Sequence, residues 1–223
     1  MLRPAAPAAV LLPALLAMLG PAAARAEPTG GCHCFRDRTF EPDRPAAADP
    51  YILATARSSL LSAAYGPPKR ELVAAVMGGR PAEDLWIAHG AAARTGADAA
   101  DLLALRDRSG GWKAALAGKA PLGKDLEAAL ARGASDAELA GVIVDATLVK
   151  RLRADPARLR EARAAGAGSE ELIVLTLLSA RTGRPELTRL VQVKAGKATW
   201  GGVLHEAGIA PKDLDGLVRQ SVR

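Results

Sequence analysis

An all-α protein is predicted, and three features of the sequence predict it. Helix start and stop signals recur without pause from residue 49 to the end. No stretch alternates apolar and polar residues as a half-buried strand does. Aromatic residues make up only 3% of the chain. Ala and Leu dominate instead, which suits helices packed closely through small side chains and opposes a β-sandwich rich in β-branched and aromatic residues.

At the start of the chain, Arg3, the apolar run from Ala8 to Leu19 and the small-x-small sequence Ala24-Arg25-Ala26 form the pattern of a secretory signal over 1–26, with cleavage expected after Ala26. The run falls short of the roughly 20 apolar residues that a membrane span needs, and no later stretch reaches that length. A soluble periplasmic or secreted protein without a transmembrane segment is therefore expected. The chain carries 30 basic and 24 acidic residues, a net charge of +6; without Arg3 and Arg25 the balance is 28 against 24, or +4. That excess is modest and scattered, and export removes most nucleic-acid partners, so no nucleic acid is expected.

Residues 27–48 lack periodicity and contain Gly30-Gly31, Cys32-His33-Cys34, Pro28, Pro42 and Pro45. They read as an extended arm laid over the first helices through Phe35 and Phe40. Asp49-Pro50 then supplies an N-cap with Pro at the first helical position. Pro67-Pro68 restarts the chain for a short helix closed by Gly78-Gly79, and Pro81 opens one that stops at Gly96. Asp98 caps the next, which breaks at Gly110-Gly111. Ser135 and Glu138 form a capping box before a longer helix to about Arg153. Asp155-Pro156, Ser169, Pro185 and Pro211 each open another, and glycines 133, 166, 183, 196 and 208 stand where C-terminal caps belong. About ten short helices are expected.

The sequence also repeats. A shift of 87 residues aligns it with itself without a gap from about residue 51 to 103, pairing Leu61 with Leu148, Leu72 with Leu159 and Gly79 with Gly166. Ala93-Arg94-Thr95-Gly96 meets Ala180-Arg181-Thr182-Gly183, and one inserted residue later Trp112 meets Trp200. Two copies of one helical unit are therefore expected, at 49–134 and 135–223. Gly31 to Phe35, the two Arg-Thr-Gly helix ends and the two tryptophans together resemble a group of exported all-helical proteins of Gram-negative bacteria with a Gly-Cys-His-Cys-Phe arm. That resemblance covers most of the mature chain and implies the architecture but no chemistry.

Cys32-His33-Cys34 is the sharpest chemical feature. A disulfide between Cys32 and Cys34 closes almost no loop, so it would stabilise little. The readings are a local disulfide pinning the arm, a Zn²⁺ or Cu⁺ site using both thiolates and His33, an exchangeable thiol pair, or pairing with another chain. Arg94-Thr95-Gly96 and Arg181-Thr182-Gly183 read either as helix stops, with Arg complementing the dipole and Gly in the left-handed conformation, or as a pair of anion sites. Trp112 and Trp200 read as core anchors of their units or as stacking surfaces for an envelope sugar. No nucleophile motif, phosphate loop or His-Glu-x-x-His occurs. A non-enzymatic binding or scaffold protein of the envelope, with an unknown envelope protein as partner, is the leading expectation, and a metal-handling or thiol-redox role for the arm is the alternative. A polar cleft between the units with His89 or His205 facing it would favour an enzyme.

Overall fold

The computed structural model describes residues 38–222. These residues form twelve α-helices and no strand. The first half holds α1 (Asp49–Tyr65), α2 (Lys69–Met77), α3 (Ala82–Thr95), α4 (Ala99–Ser109), α5 (Trp112–Ala115) and α6 (Lys124–Ala131). The second holds α7 (Asp136–Leu152), α8 (Pro156–Ala164), α9 (Ser169–Thr182), α10 (Leu187–Lys194), α11 (Trp200–Glu206) and, after a 3-10 turn at Pro211–Asp213, α12 (Leu214–Ser221). No helix among the described residues is long and apolar enough to cross a membrane.

Local signals explain most of these boundaries. Asp98 accepts from the amides of Ala100 and Asp101, and Asp155 from that of Ala157. Ser135 and Glu138 form the reciprocal capping box, with Ser135 N donating to Glu138 Oε2 at 2.8 Å. Gly96 and Gly183 end α3 and α9 at φ 74° and 69°, a region that disfavours a Cβ. Ser169 opens α9 as expected; Gly168 precedes it, and Glu171 reaches back to the Gly168 amide at 2.7 Å. One cap differs from expectation: Asp49 does not cap its own helix. Its carboxylate accepts from Trp200 N at 3.1 Å and Gly201 N at 2.7 Å, so it caps α11, a helix far along the chain.

Residues 38–48, the described part of the segment before α1, are also not extended. Arg44 N bonds Glu41 O, Ala47 N bonds Arg44 O and Asp49 N bonds Ala46 O, a succession of turns that Pro42 and Pro45 favour. It lies partly over α11 instead of the first helices alone. Phe40 stacks on His205 with ring centroids 4.5 Å apart, while Arg38 sits over the Tyr51 ring of α1. Gly201 makes that approach feasible, because a Cβ there would stand 2.6 Å from Pro45 O. Phe35 lies outside the described residues.

The centre of the molecule is a ring of four helices. α1 packs on α3 and α9, and α7 packs on the same two; α12 flanks α1 and α6 flanks α7. One hydrophobic cluster runs through both halves, and the most extensive contacts, α3 with α7 and α1 with α12 and α9, mostly cross between them. The two halves therefore share one core. The bounds of α1, α2 and α3 recur 87 residues on as those of α7, α8 and α9, from Asp49–Tyr65 to Asp136–Leu152 and from Ala82–Thr95 to Ser169–Thr182. The contacts recur likewise: α3 on α7 has its counterpart in α9 on α1, and α6 on α7 in α12 on α1.

Asp215 locks α12 to α1 and α2. It accepts from Ser59 Oγ at 2.6 Å, Lys69 Nζ at 2.9 Å and Arg219 Nε at 3.1 Å. Burial alone would push its carboxyl up, but these donors outweigh it and hold the pKa at about 2. A carboxylate depressed in the folded state stabilises above its ordinary value, and that contribution is lost as pH falls. Stability should therefore fall between pH 3.8 and about 2 through this group. In urea titrations across that window, Asp215→Asn should show a flatter dependence than the parent; an unchanged slope would mean that other carboxylates carry the acid sensitivity.

Candidate functional site

Cys32, His33 and Cys34 lie outside the described residues, so the metal and thiol expectations find no geometry. Among the described residues no cluster of three or more His, Cys, Asp or Glu side chains is arranged to hold a metal ion.

Trp112 and Trp200 are buried, at 1% and 2% exposure, which leaves neither face free to stack on a ligand. Both serve the core. Trp112 also does something the sequence did not announce: its indole N–H donates to Asp84 Oδ1 at 2.7 Å. Asp84 is fully buried on the first turn of α3, with Arg106 Nε 3.3 Å from Oδ1 and Arg80 Nη1 3.6 Å from Oδ2. Arg80 grips Asp107 with both terminal nitrogens at 2.7 and 2.8 Å, and Arg106 reaches Asp136 on α7 at 3.3 Å. A single buried carboxylate thus organises α3, α4, α5 and the start of α7. Each charge in the group has an opposite partner, so it is structural.

The two Arg-Thr-Gly ends do more than stop helices. Between the C-terminal parts of α1, α3 and α7, at the junction of the two halves, lies a cleft of about 350 Å³. Among the described residues, Tyr65 from α1, His89 and Arg94 from α3, and Thr147, Lys150 and Arg151 from α7 bring its polar side chains, and no carboxylate lines it. Gly90 and several alanines form the rest of the wall. The volume falls at the small end of the range for ligand sites.

The polar groups are held firmly. Thr147 Oγ1 donates to Ile143 O at 2.7 Å, so the Tyr65 hydroxyl, 2.8 Å away, donates to Thr147. The Tyr65 ring stands edge-on to Trp86, centroids 6.1 Å apart. Burial pushes the phenol pKa up, against the opposing Thr147 bond and the positive charges of Arg94 and Arg151, so it is neutral at pH 7. Arg94 Nη1 donates to Leu122 O at 2.7 Å and Arg151 Nη2 to Ala64 O at 3.2 Å, which positions both guanidinium planes. The Arg94 guanidinium carries five N–H groups, so this bond uses only part of its capacity. Burial lowers the His89 pKa, opposed by the distant charge of Asp98, and the imidazole is neutral at pH 7.

These cations complement helix ends as well. Three C-terminal helix ends contribute roughly half a negative charge each. Against them stand the side-chain charges of Arg94, Lys150 and Arg151.

Arg181 and its helix end line a second cleft, of about 330 Å³, together with Arg151, Arg153, Leu177, Gln220 and Ser221. Thr95 bonds Ala91 O, whereas Thr182 bonds Glu186 Oε1 at 2.7 Å, so the two copies of the motif have diverged in detail. Of the polar cleft residues, Arg94, Arg181 and His89 were candidates in the sequence. Tyr65, Thr147, Lys150 and Arg151 were not: the last three share one face of α7, but nothing local shows that this face meets Tyr65 of α1 and Arg94 of α3. Only the recurrence of Arg-Thr-Gly pointed this way. His205, by contrast, is taken up by Phe40.

No family model, curated protein or solved structure matches this chain.

Proposed function

We propose that the protein is a non-enzymatic binding protein of the cell envelope that takes an anionic ligand in the cleft between its halves. The observation that carries this reading is the convergence of Arg94 and Lys150 on a cleft that no carboxylate lines among the described residues, with the neutral Tyr65 and His89 beside them. Guanidinium groups bind carboxylate and phosphate oxygens in paired hydrogen bonds, and the neutral phenol and imidazole beside them add no negative charge to repel the anion. The secretory-type sequence at 1–26 supports the envelope placement. A duplicated unit underlies the fold in this reading, supported by the shared helix bounds and helix pairings, and its halves meet at the cleft.

The test is calorimetric titration with orthophosphate at low ionic strength. Millimolar or tighter binding is expected, weakening as salt screens the cations. Lys150→Ala, at an exposed position, should weaken it by about threefold to tenfold, or roughly 0.7–1.4 kcal/mol. No heat and no rise in melting temperature at millimolar phosphate would remove the proposal. Phosphorus NMR of a separate mixture with phenyl phosphate should show the ester intact; its hydrolysis to orthophosphate would overturn the non-enzymatic reading.

A further inference from the structure

A separate cleft of about 270 Å³ opens where the end of α7 meets α8, α9 and the start of α10. Leu152, Leu159, Leu172, Leu175 and Leu187 give it apolar walls, and it shares no lining residue with the anion cleft. An apolar cavity of about 150 Å³ already holds a benzene ring, so this space suits a small organic molecule. The bordering helix explains the opening. In the first half Asp98 ties down the start of α4 by accepting from two amides, and α4 packs extensively on α3. At the matching place Pro185 stands instead of Asp98, α10 starts without a side-chain cap, and it packs on α9 only along a short stretch. Pro185 and Leu187 there line the space left open.

The charges at the rim balance. Arg158 lies 3.7 Å from Asp155 and Arg189 4.0 Å from Glu186, while Arg153 and Glu161 add one exposed charge of each sign. A charged ligand would lose hydration against the leucines with no net field to draw it in. The polar groups on the α9 wall are neutral. Thr176 Oγ1 donates to Leu172 O at 2.8 Å, which leaves the oxygen able to accept. Ser179, on the same face of α9, hydrogen-bonds to no other described residue, so its hydroxyl is free to donate. We propose that this cleft binds a neutral, mainly apolar small molecule with one hydroxyl or carbonyl group, its body against the leucines and its polar group at Thr176 and Ser179.

Ligand-observed NMR titrations of the full chain test this with probes that share one ring: benzyl alcohol, toluene, benzoate and benzylammonium. Benzyl alcohol and toluene should bind, each about tenfold or more tightly than the two ions, which lose hydration in the cleft. Ser179→Ala should weaken benzyl alcohol about threefold to tenfold, as one hydrogen bond is lost, and leave toluene unchanged. Equal weakening of both would overturn the placement of the polar group. Ser179→Trp should exclude both neutral probes, with its melting temperature measured alongside; if that variant does not fold, the alanine variant decides. Retained binding by a folded Ser179→Trp, or no binding of either neutral probe at millimolar concentration, would overturn the site. Tighter binding of benzoate or benzylammonium than of benzyl alcohol would overturn the neutral ligand class. Phosphate binding in the first cleft stands or falls separately.

Discussion

Trp112→Ala should cost about 3–5 kcal/mol, the usual consequence of deleting a buried large aromatic. A single domain typically has about 5–15 kcal/mol in total, so the variant should be partly unfolded at physiological temperature. Two effects combine at this position. Trp112 is among the largest fully buried side chains in a core that otherwise relies on alanine and leucine, so few neighbours can collapse into the space. Its indole also donates to Asp84, which is fully buried and otherwise held by longer ion pairs to Arg80 and Arg106. Trp112→Phe separates the two effects. It keeps much of the packing but leaves Asp84 without its shortest donor, which should cost about 1–3 kcal/mol. Urea unfolding followed by helical circular dichroism measures both. A Trp112→Phe variant as stable as the parent would show that the Arg80 and Arg106 ion pairs satisfy Asp84 without the indole.

Gly90→Leu is expected to damage both fold and cleft, and to be repaired by a second substitution on the facing helix. A Cβ at position 90 would stand 2.4 Å from Ile143 Cγ2 and 2.9 Å from its Cδ1, and Ile143 is itself fully buried. Overpacking of this kind costs about 1–3 kcal/mol, against a gain of about 1 kcal/mol from replacing glycine within a helix. The clash should prevail, and the new side chain should fill the cleft wall and weaken phosphate binding. Ile143→Ala alone should cost about 2–5 kcal/mol by leaving a cavity. The double variant should be clearly more stable than the sum of the two, because large and small have exchanged sides. The protein already contains that exchanged pair. At the positions 87 residues away, α9 carries Leu177 and α1 carries Ala56, both buried, and these helices pack together as α3 and α7 do. Strict additivity in a double-mutant cycle would refute the proposed complementarity.

The asymmetry of Gly90 with Ile143 against Ala56 with Leu177 bears on function too. The first interface is small on α3, and it borders the acid-free cleft. The second is large on α9, and the matching cleft there is lined by Leu152, Leu177 and Leu217. The same backbone arrangement thus offers two different walls to a ligand, and the difference lies in which helix of each pair carries the bulky residue.

Helix class and most boundaries were legible in the residues, because caps and stops are local. Asp98, Ser135 with Glu138, Asp155, Gly96 and Gly183 act on amides and carbonyls within a few residues of themselves, and their effect does not depend on the rest of the fold. The recurrence of Arg-Thr-Gly and of a following Trp was visible for the same reason. Local rules did not decide where Asp49 would act. Its sequence position suits a cap for α1, but packing brings the start of α11 to it, and its carboxylate accepts from the Trp200 and Gly201 amides there. Nor did they show that Asp84 is buried: a first-turn carboxylate normally faces solvent, and only the arrival of Trp112, Arg80 and Arg106 from neighbouring elements makes its burial tolerable. The cleft is the furthest from local. Tyr65, His89, Arg94, Thr147, Lys150 and Arg151 come from three helices that meet because their apolar faces share one core, so the site's charge and shape exist only once α1, α3 and α7 have packed.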